Sequence, residues 1–108
     1  MQKNPQMKRY DRQVRFSLIG EAGQQKLSTS KVLIIGCGAL GSVIADQLVR
    51  AGIGEIDIVD RDIVELHNLQ RQSLFDEDDA NREVPKAVAA EAALKLVNSQ
   101  IIINGHAA

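Results

Sequence analysis

Short apolar runs alternate with polar stretches along this chain, and the spacing within each run predicts what it forms. Lys31 to Ile35 is short, β-branched and closed by glycine, which reads as a buried strand needing cover on both faces. Beyond it Leu40, Ile44 and Leu48 recur at i, i+4 and i+8 while Ser42, Asp46 and Arg50 form the opposite stripe, the pattern of an amphipathic helix. Gly52 stops that helix, since glycine accepts the left-handed cap conformation, and Glu55 to Val59 alternates as a second strand. Asp60 to Asp79 is polar and irregular, and a segment of that length is expected to be a binding loop. Pro85 opens a further helix to about Asn98, with Val88, Ala92 and Leu96 on one face and Glu91 paired to Lys95 at i, i+4. Ile101 to Ile103 follows as a third strand. Ahead of all this, residues 1–30 form a polar arm in which Val14, Leu18 and Leu27 are separated by charges and by Gly20 and Gly23, predicting two short helices.

The order β-α-β-loop-α-β gives the expected fold class: α/β, a Rossmann-like doubly wound sheet, of which residues 31–108 carry the N-terminal βαβαβ half behind a helical arm at 1–30. The first strand of such a sheet is central. Ending at Ala108 leaves apolar strand edges unpaired, so the chain is expected to be part of a longer protein or to be completed by a partner.

Composition narrows the function. A net charge of -1 supplies no bulk field for nucleic acid or an anionic membrane. The aromatic residues Tyr10, Phe16 and Phe75 are not interleaved with a basic stripe, so nucleic-acid binding is not expected. Cys37 is the single cysteine, which rules out an internal disulfide or a cysteine metal cluster and fits a reducing cytosol. The start, Met1 to Pro5, offers no export signal, and no apolar run approaches the ~20 residues that span a bilayer. The expected location is cytoplasmic.

The candidate chemistry lies at the end of the first strand. In Gly36-Cys37-Gly38-Ala39-Leu40-Gly41, Gly36 permits the tight turn, Gly38 lets backbone N–H groups approach a phosphate, and Gly41 lets the next helix pack closely on the sheet. The phosphate would sit at a helix N-terminus, where unpaired N–H groups and the dipole favour an anion. Asp60, closing the second strand, is the matching ribose acid. Lys86 falls in the first turn of a helix, where a cation opposes the dipole and so calls for an anionic partner, either a phosphate or a carboxylate such as Glu83 or Asp79. Cys37 reads as a small packing residue, Asp76 to Asp79 as a solvated loop or helix start, and His67 and His106 as non-ligands.

The glycine turn alone is shared by dehydrogenases, flavoproteins and methyltransferase-like folds. The segment Asp60-Arg61-Asp62-Ile63-Val64-Glu65-Leu66-His67-Asn68-Leu69-Gln70-Arg71-Gln72, with Pro85-Lys86 downstream and Arg9-Tyr10-Asp11-Arg12-Gln13 upstream, resembles the ThiF/MoeB/HesA family, bacterial relatives of ubiquitin-activating enzymes. The resemblance runs over essentially the whole chain. It implies adenylylation: the C-terminal glycine carboxylate of a ubiquitin-like sulfur-carrier protein ending in Gly-Gly attacks the α-phosphate of ATP, in thiamine or molybdenum-cofactor synthesis. It further implies that Gly36, Gly38, Ala39 and Gly41 frame the phosphates and Asp60 holds the ribose. Asn68, Arg71 and Lys86 contact the phosphates, with Asp62 and Gln72 counted among the nucleotide-binding residues. Arg12 reaches across a homodimer into the partner's site, joining Arg71 and Lys86 as catalytic. The family's magnesium-binding aspartate, later catalytic cysteine and zinc-binding cysteine pairs would fall beyond Ala108. Two positions depart from the pattern: His67 stands where a small polar residue is usual, and Glu83-Val84 replaces the glycine approach to Pro-Lys.

Three other readings share parts of this pattern. The same family's tRNA threonylcarbamoyladenosine dehydratase branch applies the ATP chemistry to a carboxylate on tRNA. An NAD-dependent oxidoreductase uses an equally good glycine turn and acid, although the cationic loop speaks against it. A non-catalytic subunit of an activating complex would have little need for Asp60, Arg71 and Lys86 together.

Overall fold

The computed structural model describes residues 8–108; the start of the arm, including the Met1 to Pro5 segment read for an export signal, lies outside the described residues. In chain order the elements are α1 (Asp11–Val14), α2 (Gly20–Ser28), β1 (Lys31–Ile35), α3 (Ala39–Ala51), β2 (Glu55–Val59), a 3-10 turn (Leu66–Asn68), α4 (Glu77–Asn81), α5 (Lys86–Val97) and β3 (Ile102–His106). The strands form one parallel sheet in the order β1-β2-β3. Ile34, Ile58 and Gly105 lie in one register row, and Val32, Ile56 and Ile103 in another.

Both long helices pack on the same face of this sheet, where Ile34, Ile56, Ile58 and Ile103 meet Ala45, Val49, Ala89, Ala90 and Leu94. On the other face Leu33 and Ile35 are 60% and 79% exposed, so among the described residues β1 is covered on one side only, not on both. The inward stripes of the two helices also differ from the expected ones. Leu40 and Ile44 in α3, and Val88 and Leu96 in α5, face outward; Ser42, Ala45 and Val49, and Ala87, Ala90 and Leu94, face the sheet. The physical reason is spacing. A helix lying close on a sheet takes small side chains at its contact line, and the large apolar residues that dominate a periodicity count are displaced to its flanks.

Two other expectations need correction. The third strand begins at Ile102 and runs on to His106, extended by pairing of Asn104, Gly105 and His106 with Asp57, Ile58 and Val59. Glu91 of α5 anchors it, its carboxylate accepting from Gly105 N at 2.6 Å and from Lys95 Nζ at 3.0 Å, contacts that hold the Glu91 carboxyl below its ordinary range. The 60–79 segment is not wholly irregular: it holds the 3-10 turn and enters α4 through a capping box in which Asp76 and Asp79 bond each other's backbone N–H groups at 2.9 and 3.1 Å.

No helix among the described residues is long and apolar enough to cross a membrane. Glu83, at the departure from the glycine pattern, sits in the left-handed region at φ 52°, a conformation unfavourable for a residue with a Cβ. Glu83→Gly relieves about 1–2 kcal/mol of strain against about 0.5–1 kcal/mol of added backbone entropy, so denaturant melts should show a net gain of up to about 1.5 kcal/mol. On α5, Leu94→Ala should lose about 2–5 kcal/mol while Leu96→Ala stays within about 0.5 kcal/mol; equal losses would mean the helix is rotated from the face described.

Candidate active site

Parallel pairing sets the site. Because Ile35 stands opposite Val59, the first residues past the two strands, Gly36 and Asp60, emerge side by side at the same sheet edge. Gly36 turns the chain with φ 93°, and its N–H donates to Val59 O at 2.8 Å. Gly41 stands directly above: a Cβ there would lie 2.2 Å from Gly36 O, so α3 rests on the turn only because that atom is missing.

Asp60 ties the turn to the following loop. Its Oδ2 accepts from Cys37 N at 2.6 Å and its Oδ1 from Asp62 N at 2.8 Å, while its own N–H donates to His106 O at 3.1 Å. Each carboxylate oxygen keeps a further acceptor site, enough for a ribose hydroxyl. Gly38 caps α3 without any side-chain bond, so the first N–H groups of α3 have no side-chain cap at the end of the sheet where Asp60 stands.

Lys86 closes this space. A short antiparallel contact between Ile63 and Pro85, flanked by Val64 N to Val84 O and Lys86 N to Asp62 O at 2.8 Å each, folds the start of α5 back onto the Asp60 loop. Lys86 is buried, 8% exposed as a residue, and its ammonium forms no ion pair or hydrogen bond with a described residue. Neither Glu83 nor Asp79 pairs with it; Asp79 caps α4 instead. Cys37 lies in the same field: burial raises its thiol pKa most strongly, a contact with Ser42 lowers it, and the Asp60 and Lys86 charges push in opposite directions. It is a buried packing residue beneath the turn.

The loop after Asp62 supplies the rest of the lining. Asn68 is buried, and its Oδ1 accepts from Glu65 N at 2.8 Å, so half of its amide is spent on shaping the 3-10 turn. Its backbone carbonyl receives the N–H groups of Arg71 and Gln72 at 3.2 and 2.9 Å. Gln72 is 3% exposed; its Nε2 lies 3.9 Å from where a Gly38 Cβ would stand, and its buried Oε1 has no hydrogen-bond partner. Arg71 is exposed, its guanidinium donating to His67 O at 3.1 Å. His67, the other departure from the pattern, bonds Glu65 at 2.7 Å on the outer side of the turn.

The structure thus brings together Gly36, Gly38, Ala39, Gly41, Asp60, Asp62, Gln72 and Lys86, with Asn68 and Arg71 in the adjoining turn. Arg12 is not among them. Its flanking residues Tyr10 and Gln13 bond groups at the C-terminal ends of α5 and α3, and the 13 residues of α3 place that end about 18 Å from the glycine turn. An arginine side chain does not bridge that distance. Sequence reasoning missed the Asp60 contact with Cys37 N and the burial of Gln72, neither of which carries a spacing signal. Among the described residues no group of His, Cys, Asp and Glu side chains converges to hold a metal ion.

Comparison with known proteins agrees with this geometry. A ThiF family profile matches residues 10–108. The sulfur carrier protein ThiS adenylyltransferase of Bacillus subtilis is 53% identical over 97 residues, covering 90% of this chain and 29% of that protein. The molybdopterin-synthase adenylyltransferase of Haemophilus influenzae is 42% identical over 95 residues, covering 88% of this chain and 38% of its own length. The crystal structure of Escherichia coli tRNA N6-threonylcarbamoyladenosine dehydratase in complex with ATP superposes with a TM-score of 0.88 at 25% identity, over 98% of this chain and 42% of that one. The chain therefore spans well under half the length of each of these relatives. With the glycine turn, its acid and the cationic loop all lying inside the matched region, the chain belongs to the ThiF family.

Proposed function

We propose that this chain is the N-terminal nucleotide-binding part, residues 31–108 behind the arm at 1–30, of an enzyme that adenylylates the C-terminal glycine of a ubiquitin-like sulfur-carrier protein. The observation that carries the reading is Lys86, a buried residue whose ammonium has no described counter-ion and whose charge acts on Cys37 in the glycine turn. An unpaired ammonium in a buried residue is stabilised by an anion that enters from solution. The orphaned Gln72 Oε1 at the same place fits a pocket shaped for an occupant.

In the reaction a carboxylate oxygen of the carrier forms a bond to the α-phosphorus of ATP. The bond from that phosphorus to the bridging oxygen breaks, and pyrophosphate leaves with the electron pair. Two anions must be brought together, so fixed cations and dipoles supply most of the barrier lowering. The N–H groups of Gly38, Ala39 and the α3 start hold phosphate oxygens, Asp60 takes the ribose hydroxyls, and Asp62, Asn68 and Gln72 line the pocket. Lys86 and Arg71 neutralise charge on the transferring and leaving oxygens; Arg71 is free to swing from the His67 carbonyl because it is exposed. Arg12, too distant to serve its own turn, supplies a further cation to the site of a second copy in a homodimer. The described residues hold no cluster for magnesium or zinc, so any such ion would be held by groups other than these, and the enzyme works in the cytoplasm.

The tRNA dehydratase reading draws on the ATP-bound relative with the same fold. Against it stand the higher identity to the ThiS adenylyltransferase and a net charge of -1, which supplies no bulk field for tRNA.

Exchange of labelled pyrophosphate into ATP by the intact protein separates the two: it should depend on a carrier ending in Gly-Gly, and exchange that instead requires tRNA would overturn the proposal. Arg71→Ala should slow that exchange about 100-fold or more with the fold unchanged. Lys86→Met should have opposite effects on the two properties. It should abolish exchange and the ATP-induced rise in melting temperature, while raising the stability of the nucleotide-free protein by about 1 kcal/mol, because an unpaired buried charge is gone. A drop in nucleotide-free stability would mean that Lys86 already has a structural partner.

A further inference from the structure

The polar contacts between the N-terminal arm and the body are concentrated at the far end of the fold from the glycine turn. Asn98, fully buried, donates through Nδ2 to Tyr10 Oη at 2.9 Å and to Val49 O at 3.1 Å, while its Oδ1 accepts from Gln100 N at 3.1 Å. Ala51 O, at the last residue of α3, accepts from Gln13 Nε2 at 2.6 Å and from the buried Gln24 Nε2 at 3.1 Å, and Gln13 also bonds Gln24 directly. Arg9 donates to Val97 O, at the last residue of α5, at 3.1 Å. The arm thereby satisfies carbonyls that a helix C-terminus leaves unpaired, on both long helices at once.

The backbone is shaped for this contact. Gly52 has φ 91°, and a Cβ there would lie 2.6 Å from Tyr10 Cζ and 2.8 Å from Gln24 Nε2, so the Tyr10 ring and the Gln24 amide approach the end of α3 closely. Between Tyr10 and Gln13, both held, stands Arg12, whose exposed side chain pairs with no described residue. The bonded residues on either side thus carry between them a cation without a described partner.

We propose that Tyr10, Gln13, Gln24 and Asn98 form a latch that sets the direction of Arg12, making them positioning residues for catalysis in the neighbouring subunit. The inference rests on the reading above that Arg12 serves a second copy. An arm bonded at several points loses little entropy when Arg12 engages the partner's nucleotide; an unlatched arm must be ordered at that moment.

Mixed dimers of the intact protein test this. Arg12→Ala and Lys86→Ala subunits, inactive alone, should together give one working site, built from the Arg12→Ala body and the Lys86→Ala subunit's arm. Tyr10→Phe removes one oxygen, and Asn98 keeps its bond to Val49 O. Placed on the Lys86→Ala subunit, it should lower kcat of the recovered exchange about three- to tenfold with KM for ATP unchanged. Placed on the Arg12→Ala subunit, it should change nothing. Gln13→Met should show the same asymmetry. Equal loss in both placements, which a merely structural role would give, or no loss in either, overturns the latch. Failure of the parent mixture to recover despite confirmed subunit exchange overturns the shared site itself, and the latch with it.

Discussion

The hydrogen bond from Cys37 N to the Asp60 carboxylate is the contact on which the rest of the site depends. It joins the turn leaving β1 to the loop leaving β2, and it exists because parallel register delivers both segments to one sheet edge. From Asp60 the order propagates outward: to Asp62 through the second carboxylate oxygen, from the Asp62 carbonyl to the Lys86 N–H, and so to the first turn of α5. A carboxylate accepting charge-assisted bonds from two backbone N–H groups makes a stiff junction. The same group that is suited to bind ribose therefore also assembles the cation and the helix N-terminus around the place where phosphates would lie.

The two ends of the fold divide the labour. At the C-terminal edge of the strands, the start of α3 has no side-chain cap and Lys86 has no described counter-ion. At the opposite end, the helix carbonyls are capped by Arg9, Gln13 and Gln24. One end is satisfied internally and the other is not, which is the polarity expected of a sheet that binds at the carboxyl ends of its strands.

Strand positions and helix ends were legible because they depend on local chemistry. The β-branched runs at Lys31–Ile35 and Glu55–Val59, the left-handed stop at Gly52 and the proline before Lys86 each carry their own signal. The buried helix faces were not legible. Large apolar side chains at Leu40, Ile44, Val88 and Leu96 dominate the periodicity, yet the contact line is set by how closely the helix can approach, which favours Ser42, Ala45, Ala87 and Ala90. The glycine turn and Asp60 could be read together because their spacing reflects the strand-turn-helix-strand path, whereas Lys86 entered through the resemblance and through a dipole argument that left a carboxylate partner open. The bond between Tyr10 and Asn98 joins residues 88 positions apart, and no local pattern announces a contact of that range.

The account's central claim is that the space bounded by the glycine turn, Asp60 and Lys86 is a preformed site for a nucleotide triphosphate. A crystal structure of the intact protein with a non-hydrolysable ATP analogue tests it most directly. The account predicts phosphate oxygens within about 3 Å of Lys86 Nζ and of backbone N–H groups at the start of α3, with ribose hydroxyls on Asp60. A nucleotide bound elsewhere, or bound here with Lys86 turned away onto a protein carboxylate, would contradict it.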